Sequence, residues 1–357
     1  MKPVYVRGRA LSCSLGLDLR ACARAVRSVP PSPARVEVAP GMSWPFHAIP
    51  DEGGDWLERA RRIVLRTVAD CSAAVDPSGA LFLASSSIDI GAREQSGDYS
   101  PNFHAFAEQV ADWIDWRGPV FTVSTACTSG INALLGAARF VQAGQTPTAL
   151  VLGVELRNRL TLAGFGAMQL LAPRQALPFG LQREGLMLGE SVAAVSLGTE
   201  PSRWRVAGGA NVVDGSDTAA AVPAAIAAMC RQALETAGLQ PSQIGLIKLQ
   251  AAGSPGNDAI EAAALLRFFE TMPPLVSLKA HLGHTLGAAG VAETALLMAC
   301  IEGRDWPLIG YPLDPSLGVG LAEHAPEAAR HILAYILGFG GGHAAVVLED
   351  CTAQEAV

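Results

Sequence analysis

Two stretches of this 357-residue chain have no side that could face water. Residues 129–138 and 286–299 are of helical length and almost wholly small or apolar. A helix that is apolar all round must be covered all round. Two such helices therefore need a sheet on either side of them, and each sheet needs an outer cover. This predicts five layers rather than a single doubly wound sheet.

The rest of the pattern supplies those layers. Apolar runs of strand length stand at residues 80–84, 120–124, 148–154, 192–197, 244–249 and 275–278, and residues 332–337 with 344–348 read as a terminal hairpin. Between them, residues 128–141, 224–237, 258–269 and 287–301 read as helices, the second ended by Gly238. Continuous apolar strands alternating with helices predict an α/β fold with sheets buried on both faces. The chain divides at the punctuation of Pro201 and Gly208-Gly209 into halves of 1–200 and 201–357. The Pro/Ser-rich stretch 29–34 and Gly53-Gly54 read as surface loops.

Composition narrows the function classes. The net charge is −7, and dense Lys/Arg runs are missing, which speaks against a nucleic-acid partner. The short basic stretch of Arg59, Arg61, Arg62 and Arg66 reads as the solvated face of a helix. No run approaches the roughly 20 apolar residues of a membrane span, since residues 286–301 are short and hold Glu293. Lys2, Arg7 and Arg9 open the chain without the long apolar segment of a secretory signal. The seven Cys are odd in number and widely spaced, with no C-x-x-C pair. That predicts neither a disulfide framework nor a metal site, and a reducing cytoplasm as the setting.

Three segments carry chemistry. In Ser124-Thr-Ala-Cys-Thr-Ser-Gly130 a strand ends, a Cys sits at the turn and a helix of small residues begins. A thiol at a helix N-terminus meets free N–H groups and the positive end of the dipole, which lower its pKa. The same N–H groups can hold a developing oxyanion. In Ser277-Leu-Lys-Ala-His-Leu-Gly-His-Thr-Leu-Gly-Ala-Ala-Gly290, Lys279, His281 and His284 precede a buried helix with an isolated acid, Glu293. Metal-motif spacing is lacking around these His residues, and a buried Lys with a buried Glu is commonly a structural ion pair. In Leu337-Gly-Phe-Gly-Gly-Gly-His343 a strand follows the glycines where a dinucleotide loop would need a helix. It reads as a tight turn bringing backbone N–H groups and Phe339 close to a site.

Together these segments resemble the β-ketoacyl-acyl carrier protein synthases, condensing enzymes of the thiolase superfamily. Residues 4–12 through Gly16 look like the family's opening strand and loop, and Thr125-Ala-Cys127 matches its nucleophile motif. Pro178-Phe179, Arg183-Glu-Gly185 and Gly189-Glu190 resemble the stretch usually written PFD…RDG…GEG. Lys279 to Gly290 with Glu293 matches K-x-x-x-G-H…GAAG…E, and Gly338-Phe-Gly-Gly341 matches the gating turn. Asp258 and Glu261 match the acid pair after the family's H-G-T motif. The resemblance implies the thiolase-like five-layer αβαβα fold of two pseudo-repeated halves. It implies Cys127 as nucleophile, with His284 and Lys279 as its catalytic companions. The N–H groups of Cys127 and Phe339 would form the oxyanion hole, Glu293, Asp258 and Glu261 would support the site, and Gly338, Phe339, Gly340 and Gly341 would form the gate. No cofactor is implied beyond the phosphopantetheine of an acyl carrier protein, which would be a partner. A homodimer or a heterodimer with another ketosynthase subunit is also implied, because in this family the strand before the nucleophile pairs across a two-fold axis.

The departures bear on function. The stretch corresponding to H-G-T-x-T-P reads Leu249-Gln-Ala-Ala-Gly-Ser-Pro-Gly-Asn-Asp258, without a His and two residues shorter. Gly180 stands for the Asp of PFD, and Gly342-His343 follows the glycine turn where the family has Thr-Asn. The chain is also shorter than usual members. Relatives use two His donors for the enolate left when a malonyl thioester loses CO2, and here His284 alone matches, with His281 or His343 as spatial substitutes. Retained Cys127, Lys279 and His284 favour an acyltransferase of fatty acid, polyketide or aryl polyene synthesis. The missing His and Gly180 favour the alternative, a non-elongating partner subunit similar to a chain-length factor.

Overall fold

A computed structural model describes residues 2–50, 53–71, 75–99, 102–216, 221–327 and 329–353. The first half contributes strands β1 (Val4–Cys13), β2 (Ala34–Ala39), β3 (Met42–His47), β4 (Ala80–Ala84), β5 (Val120–Val123), β6 (Thr148–Glu155), β7 (Leu188–Gly189) and β8 (Ser191–Gly198). Its helices are α1 (Leu19–Ala25), α2 (Trp56–Asp70), α3 (Ile90–Ser96), α4 (Ala105–Trp113), α5 (Ser129–Gln142) and α6 (Arg159–Ala167). The second half adds β9 (Trp204–Val213), β10 (Ile244–Lys248), β11 (Leu275–Val276), β12 (His331–Leu337) and β13 (Gly342–Asp350), with α7 (Pro223–Ala237), α8 (Pro255–Phe268), α9 (Lys279–Leu282) and α10 (Ala289–Gly303).

The two halves repeat one topology. Strands run β5-β4-β6-β8-β1 in the first and β11-β10-β12-β13-β9 in the second. In each, the first two pairings are parallel and the last two antiparallel. The two sheets meet edge to edge through a short β1–β9 ladder, Val4 to Val6 against Trp204 to Val206.

Period-2 alternation sends both faces of these strands into apolar layers. In β4, Ala80, Phe82 and Ala84 join the core around α5 and α10, while Leu81 and Leu83 join the outer core with Trp56, Ile63 and Phe106 of α2 and α4. On the far side, Leu333, Tyr335, Ala345 and Val347 pack under Ile226 and Met229 of α7 and Leu265 of α8. The layers are therefore α2/α4, sheet, α5/α10, sheet and α7/α8. Every residue from Leu286 to Met298 is buried. The run Leu286–Gly303 proves long and apolar enough to cross a membrane, with a mean hydropathy of 1.4, yet most of it is buried inside the fold.

The central helices touch through glycine. A Cβ on Gly130 would stand 2.8 Å from the Val291 nitrogen, and one on Gly290 would stand 2.4 Å from the Ile131 nitrogen. Backbone contact at this crossing brings the segment before α5 against the segment before α10, which is how two distant motifs come to share one site.

Three expectations are corrected. Gly208 and Gly209 lie inside β9 rather than in a break. Cβ atoms there would meet the Ala237 nitrogen at 2.6 Å and a Leu135 methyl at 2.4 Å, so the glycines let α7 and α5 lie close on either face. Residue 34 begins β2, which with β3 and β7 forms a separate three-stranded sheet. Arg59 is buried, unlike exposed Arg61, Arg62 and Arg66, and it makes two 2.8 Å bonds to the buried Glu190 carboxylate.

Candidate active site

Cys127 sits where β5 gives way to α5. Ala126 just before it has φ +51, a left-handed conformation uncommon for a residue with a side chain. A small hydrogen-bonded knot holds that turn: the Ser129 hydroxyl donates to the Ala126 carbonyl at 2.6 Å and accepts from the Thr125 N–H at 2.9 Å. The thiol is buried at the start of the helix and lies 3.1 Å from His284 Nε2. The N–H groups of Phe339 and of Cys127 itself favour the anionic sulfur, each pulling the thiol's pKa down.

His284 is fixed through its backbone rather than its ring. Its N–H donates to the Met187 carbonyl at 2.7 Å, and its carbonyl accepts from the Gly189 N–H at 3.1 Å. The 187–190 strand is tied down by Glu190, which takes bonds from Arg59, the Ile49 N–H and the Arg157 N–H. A second buried carboxylate, Glu155, accepts from the Ser86, Ser87 and Gly287 N–H groups at 2.9 Å each and so pins the turn leading into α10.

Burial dominates the electrostatics. It pushes the Cys127 thiol up to about 11, against the pull of the Phe339 N–H and the Lys279 charge. It pushes His284 down to about 3, helped by Lys279. The pair is therefore a neutral thiol beside a neutral imidazole at pH 7. The thiolate expected from the helix N-terminus is corrected, because desolvation of the anion outweighs the dipole.

Lys279 does not touch the sulfur. It bonds Glu293, and Lys248 of β10 bonds the other oxygen of the same carboxylate at 2.6 Å. All three side chains are at most 1 % exposed. Glu293 is held below the usual carboxylate range by the two cations despite its burial, and burial depresses Lys248 to about 8. Lys248 escaped the sequence reading because it stands 45 residues from Glu293 in a strand that otherwise reads as apolar.

Asp258 and Glu261 line the same cavity as Cys127 and His284. Asp258 accepts from the N–H groups of Phe179 at 3.0 Å, Ala252 at 3.2 Å and Gly253 at 3.1 Å, and Glu261 accepts from the Gln250 N–H at 2.8 Å. Burial raises them to about 6 and about 7. Together they shape the loop that carries Gln250 to the cavity wall, where it joins Cys127, His284, Phe339 and His343. This corrects the two-residue deletion. The family's H-G-T-x-T-P falls position for position on Gln250-Ala-Ala-Gly-Ser-Pro255, with only the Pro identical, so Gln250 stands in the His position. Counting back from Pro255 would have found it.

The two substitute His residues separate. His281 turns its Nε2 toward the Ser28 carbonyl, 3.3 Å away, and is absent from the cavity wall. His343 lines the cavity and is 1 % exposed. In the glycine turn after β12, Gly340 and Gly341 have φ +79 and +73, and a Cβ on Gly341 would lie 1.5 Å from the Asp214 carbonyl oxygen. Phe339 stacks on Phe165 at 5.5 Å. Gly180 has no room for the family's Asp, since a Cβ there would meet Leu177 Cβ at 2.7 Å.

Two family models match this chain and together cover more than half of it: the β-ketoacyl synthase N-terminal domain over residues 84–202 and the β-ketoacyl synthase C-terminal domain over residues 205–309. The chain belongs to the β-ketoacyl synthase family. It is 30% identical over 275 residues to the highly reducing polyketide synthase alnA of Emericella nidulans, which covers 68% of this chain and 11% of that protein. It is 28% identical over 253 residues to 3-oxoacyl-[acyl-carrier-protein] synthase 2 of Mycobacterium leprae, 64% of this chain and 60% of that protein. The chain thus spans about a tenth of the one and three fifths of the other. One chain of the solved complex of the ketosynthase ApeO with its chain length factor ApeC, from Xenorhabdus doucetiae, superimposes with a TM-score of 0.86 at 23% identity over 98% of both chains. That likeness, with the layers described above, establishes the thiolase-like fold of the ketoacyl synthases for this synthase-family chain.

Proposed function

We propose that this chain is an acyltransferase of the 3-oxoacyl synthase type. It takes an acyl group from the phosphopantetheine thioester of an acyl carrier protein onto Cys127. The observation that carries the reading is the 3.1 Å approach of His284 Nε2 to the Cys127 sulfur, whose anionic form the Phe339 and Cys127 N–H groups favour. As the sulfur attacks the thioester carbon, the thiol proton passes to His284, and the Cys127 and Phe339 N–H groups hold the oxyanion. Collapse expels the carrier thiol, which takes that proton. A neutral pair suits this transfer, since no buried charge stands before the substrate arrives.

Condensation with a malonyl thioester is slow in this proposal. Decarboxylation builds negative charge on a thioester oxygen, and each lost donor there costs about 2.7–4 kcal/mol, or roughly 100- to 1,000-fold. Gln250 supports that weakness, because its buried Oε1 offers the cavity an acceptor in the position where relatives have a His donor. The same substitution favours a second reading, a chain-length-factor-like partner of an active ketosynthase. Released CO2 and 3-ketoacyl product, measured with the protein alone and with a candidate partner synthase, separate the two. Turnover by the protein alone that is abolished by His284→Ala supports the enzyme. Turnover confined to the mixture and insensitive to Cys127→Ala supports the partner subunit.

A further inference from the structure

His343 offers the cavity something His284 does not. Its Nδ1 lies 2.9 Å from the Gly342 carbonyl oxygen. A carbonyl can only accept, so Nδ1 carries the ring proton. Burial keeps this ring below the ordinary imidazole range, against the Gly342 bond and the Asp214 carboxylate, so the ring is neutral at pH 7. A neutral ring protonated at Nδ1 has a bare lone pair at Nε2. That Nε2 is buried and has no hydrogen-bond partner among the described residues. Gln250 Oε1, on the same cavity wall, is likewise buried without a partner.

A bare lone pair cannot stabilise an enolate oxygen. It can take a proton. His284 Nε2 is already engaged with the sulfur, and Gln250 brings an amide that donates or accepts without titrating. Asp258 and Glu261 also line the cavity, but backbone N–H groups already bond their oxygens, so beside the nucleophile and its proton acceptor His343 Nε2 is the ring nitrogen left to act as a second base. Two unsatisfied acceptors beside an acylated sulfur fit a hydroxyl donor.

We propose that His343 is the general base that activates a hydroxyl acceptor, water or an alcohol, to remove the acyl group from Cys127. The inference rests on the acyl-Cys127 reading above and names its second substrate. The hydroxyl oxygen attacks the thioester carbon while its proton moves to His343 Nε2. The carbon–sulfur bond then breaks to leave the Cys127 thiolate, His343 gives up the proton it took from the hydroxyl, and the thiolate takes up one proton from solvent, so that the thiol and both rings end neutral. The products are a carboxylic acid from water or an oxygen ester from an alcohol, with no oxidant or reductant required.

The test is a chase. The full-length protein is loaded with hexanoyl-pantetheine, freed of excess thioester, and chased with buffer, with ethanol or with malonyl-pantetheine. Intact mass follows the adduct, and chromatography follows hexanoate and ethyl hexanoate. Decay in buffer to hexanoate marks water as an acceptor, and ethyl hexanoate marks an alcohol. Either decay should slow about 100- to 10,000-fold in His343→Asn. A solvent deuterium isotope effect on the wild-type chase reports the same proton transfer if that variant does not fold. An adduct that persists in buffer and ethanol, or that leaves His343→Asn at the wild-type rate, overturns the proposal. Failure to form any adduct overturns the Cys127 reading instead, and the loading step records it separately.

Discussion

Glu293→Gln isolates what holds the centre of the fold together. Glu293 lies between Lys248 and Lys279, all three at most 1 % exposed. The variant keeps the shape and removes the only negative charge bonded to the two ammonium groups. Breaking a buried ion pair by deleting one partner costs about 3–5 kcal/mol. At about 2.1 cal/mol/K per residue, a chain of 357 residues unfolds with an entropy near 0.75 kcal/mol/K. The melting temperature should therefore fall by about 4–7 °C at pH 7. The pH dependence carries a sign. Lys248 is already depressed to about 8, below its unfolded value, so native stability gains as pH rises through that range. Without Glu293 it falls further, and the gap between variant and wild type narrows above about pH 8, where the wild-type Lys248 has lost its proton as well. The deficit at pH 9.5 should be smaller than at pH 7. Scanning calorimetry at fixed protein concentration measures both. A fall below about 1 °C at pH 7, or an equal fall at both pH values, refutes the reasoning.

In a Cys351→Ser background, which removes the exposed thiol, iodoacetamide should modify Cys127 about tenfold faster per pH unit from 6 to 9, because its thiol titrates near 11. A plateau near pH 7 would mean a thiolate is already present. Gln250→His should raise condensation with malonyl thioester by roughly 100- to 1,000-fold, the worth of one restored donor, as followed by CO2 release. An unchanged rate would remove Gln250 from the account of slow condensation. The apolar β5 lies at the free edge of its sheet, and light scattering at micromolar concentration should give a dimer with an obligate-type interface. A stable monomer would contradict that pairing.

Much of this site was legible because its parts lie in short, ordered motifs. Cys127, Lys279, His284 and Glu293 come together through the two helices whose apolar surface already demanded central burial. What escaped lay in single letters far apart. Lys248 reads as an interruption of a strand until its carboxylate partner is seen. Arg59 follows the spacing of a solvated helix face, and only Glu190, 131 residues on, explains why it is inside. Gly208 and Gly209 carry the ordinary mark of a turn, and their role in β9 depends on helices pressing from both faces. Thiol ionisation was misread for the same reason: a helix N-terminus is local and visible, whereas the full burial that opposes it belongs to the assembled layers.

The account stands on covalent chemistry at Cys127. Intact-mass analysis and peptide mapping after incubation with an acyl-acyl carrier protein test it most directly, with Cys127→Ala and His284→Ala alongside. The prediction is one acyl adduct on the peptide carrying Cys127, absent from Cys127→Ala and formed much more slowly by His284→Ala. An adduct that survives Cys127→Ala, or no adduct on the wild-type protein, would contradict it.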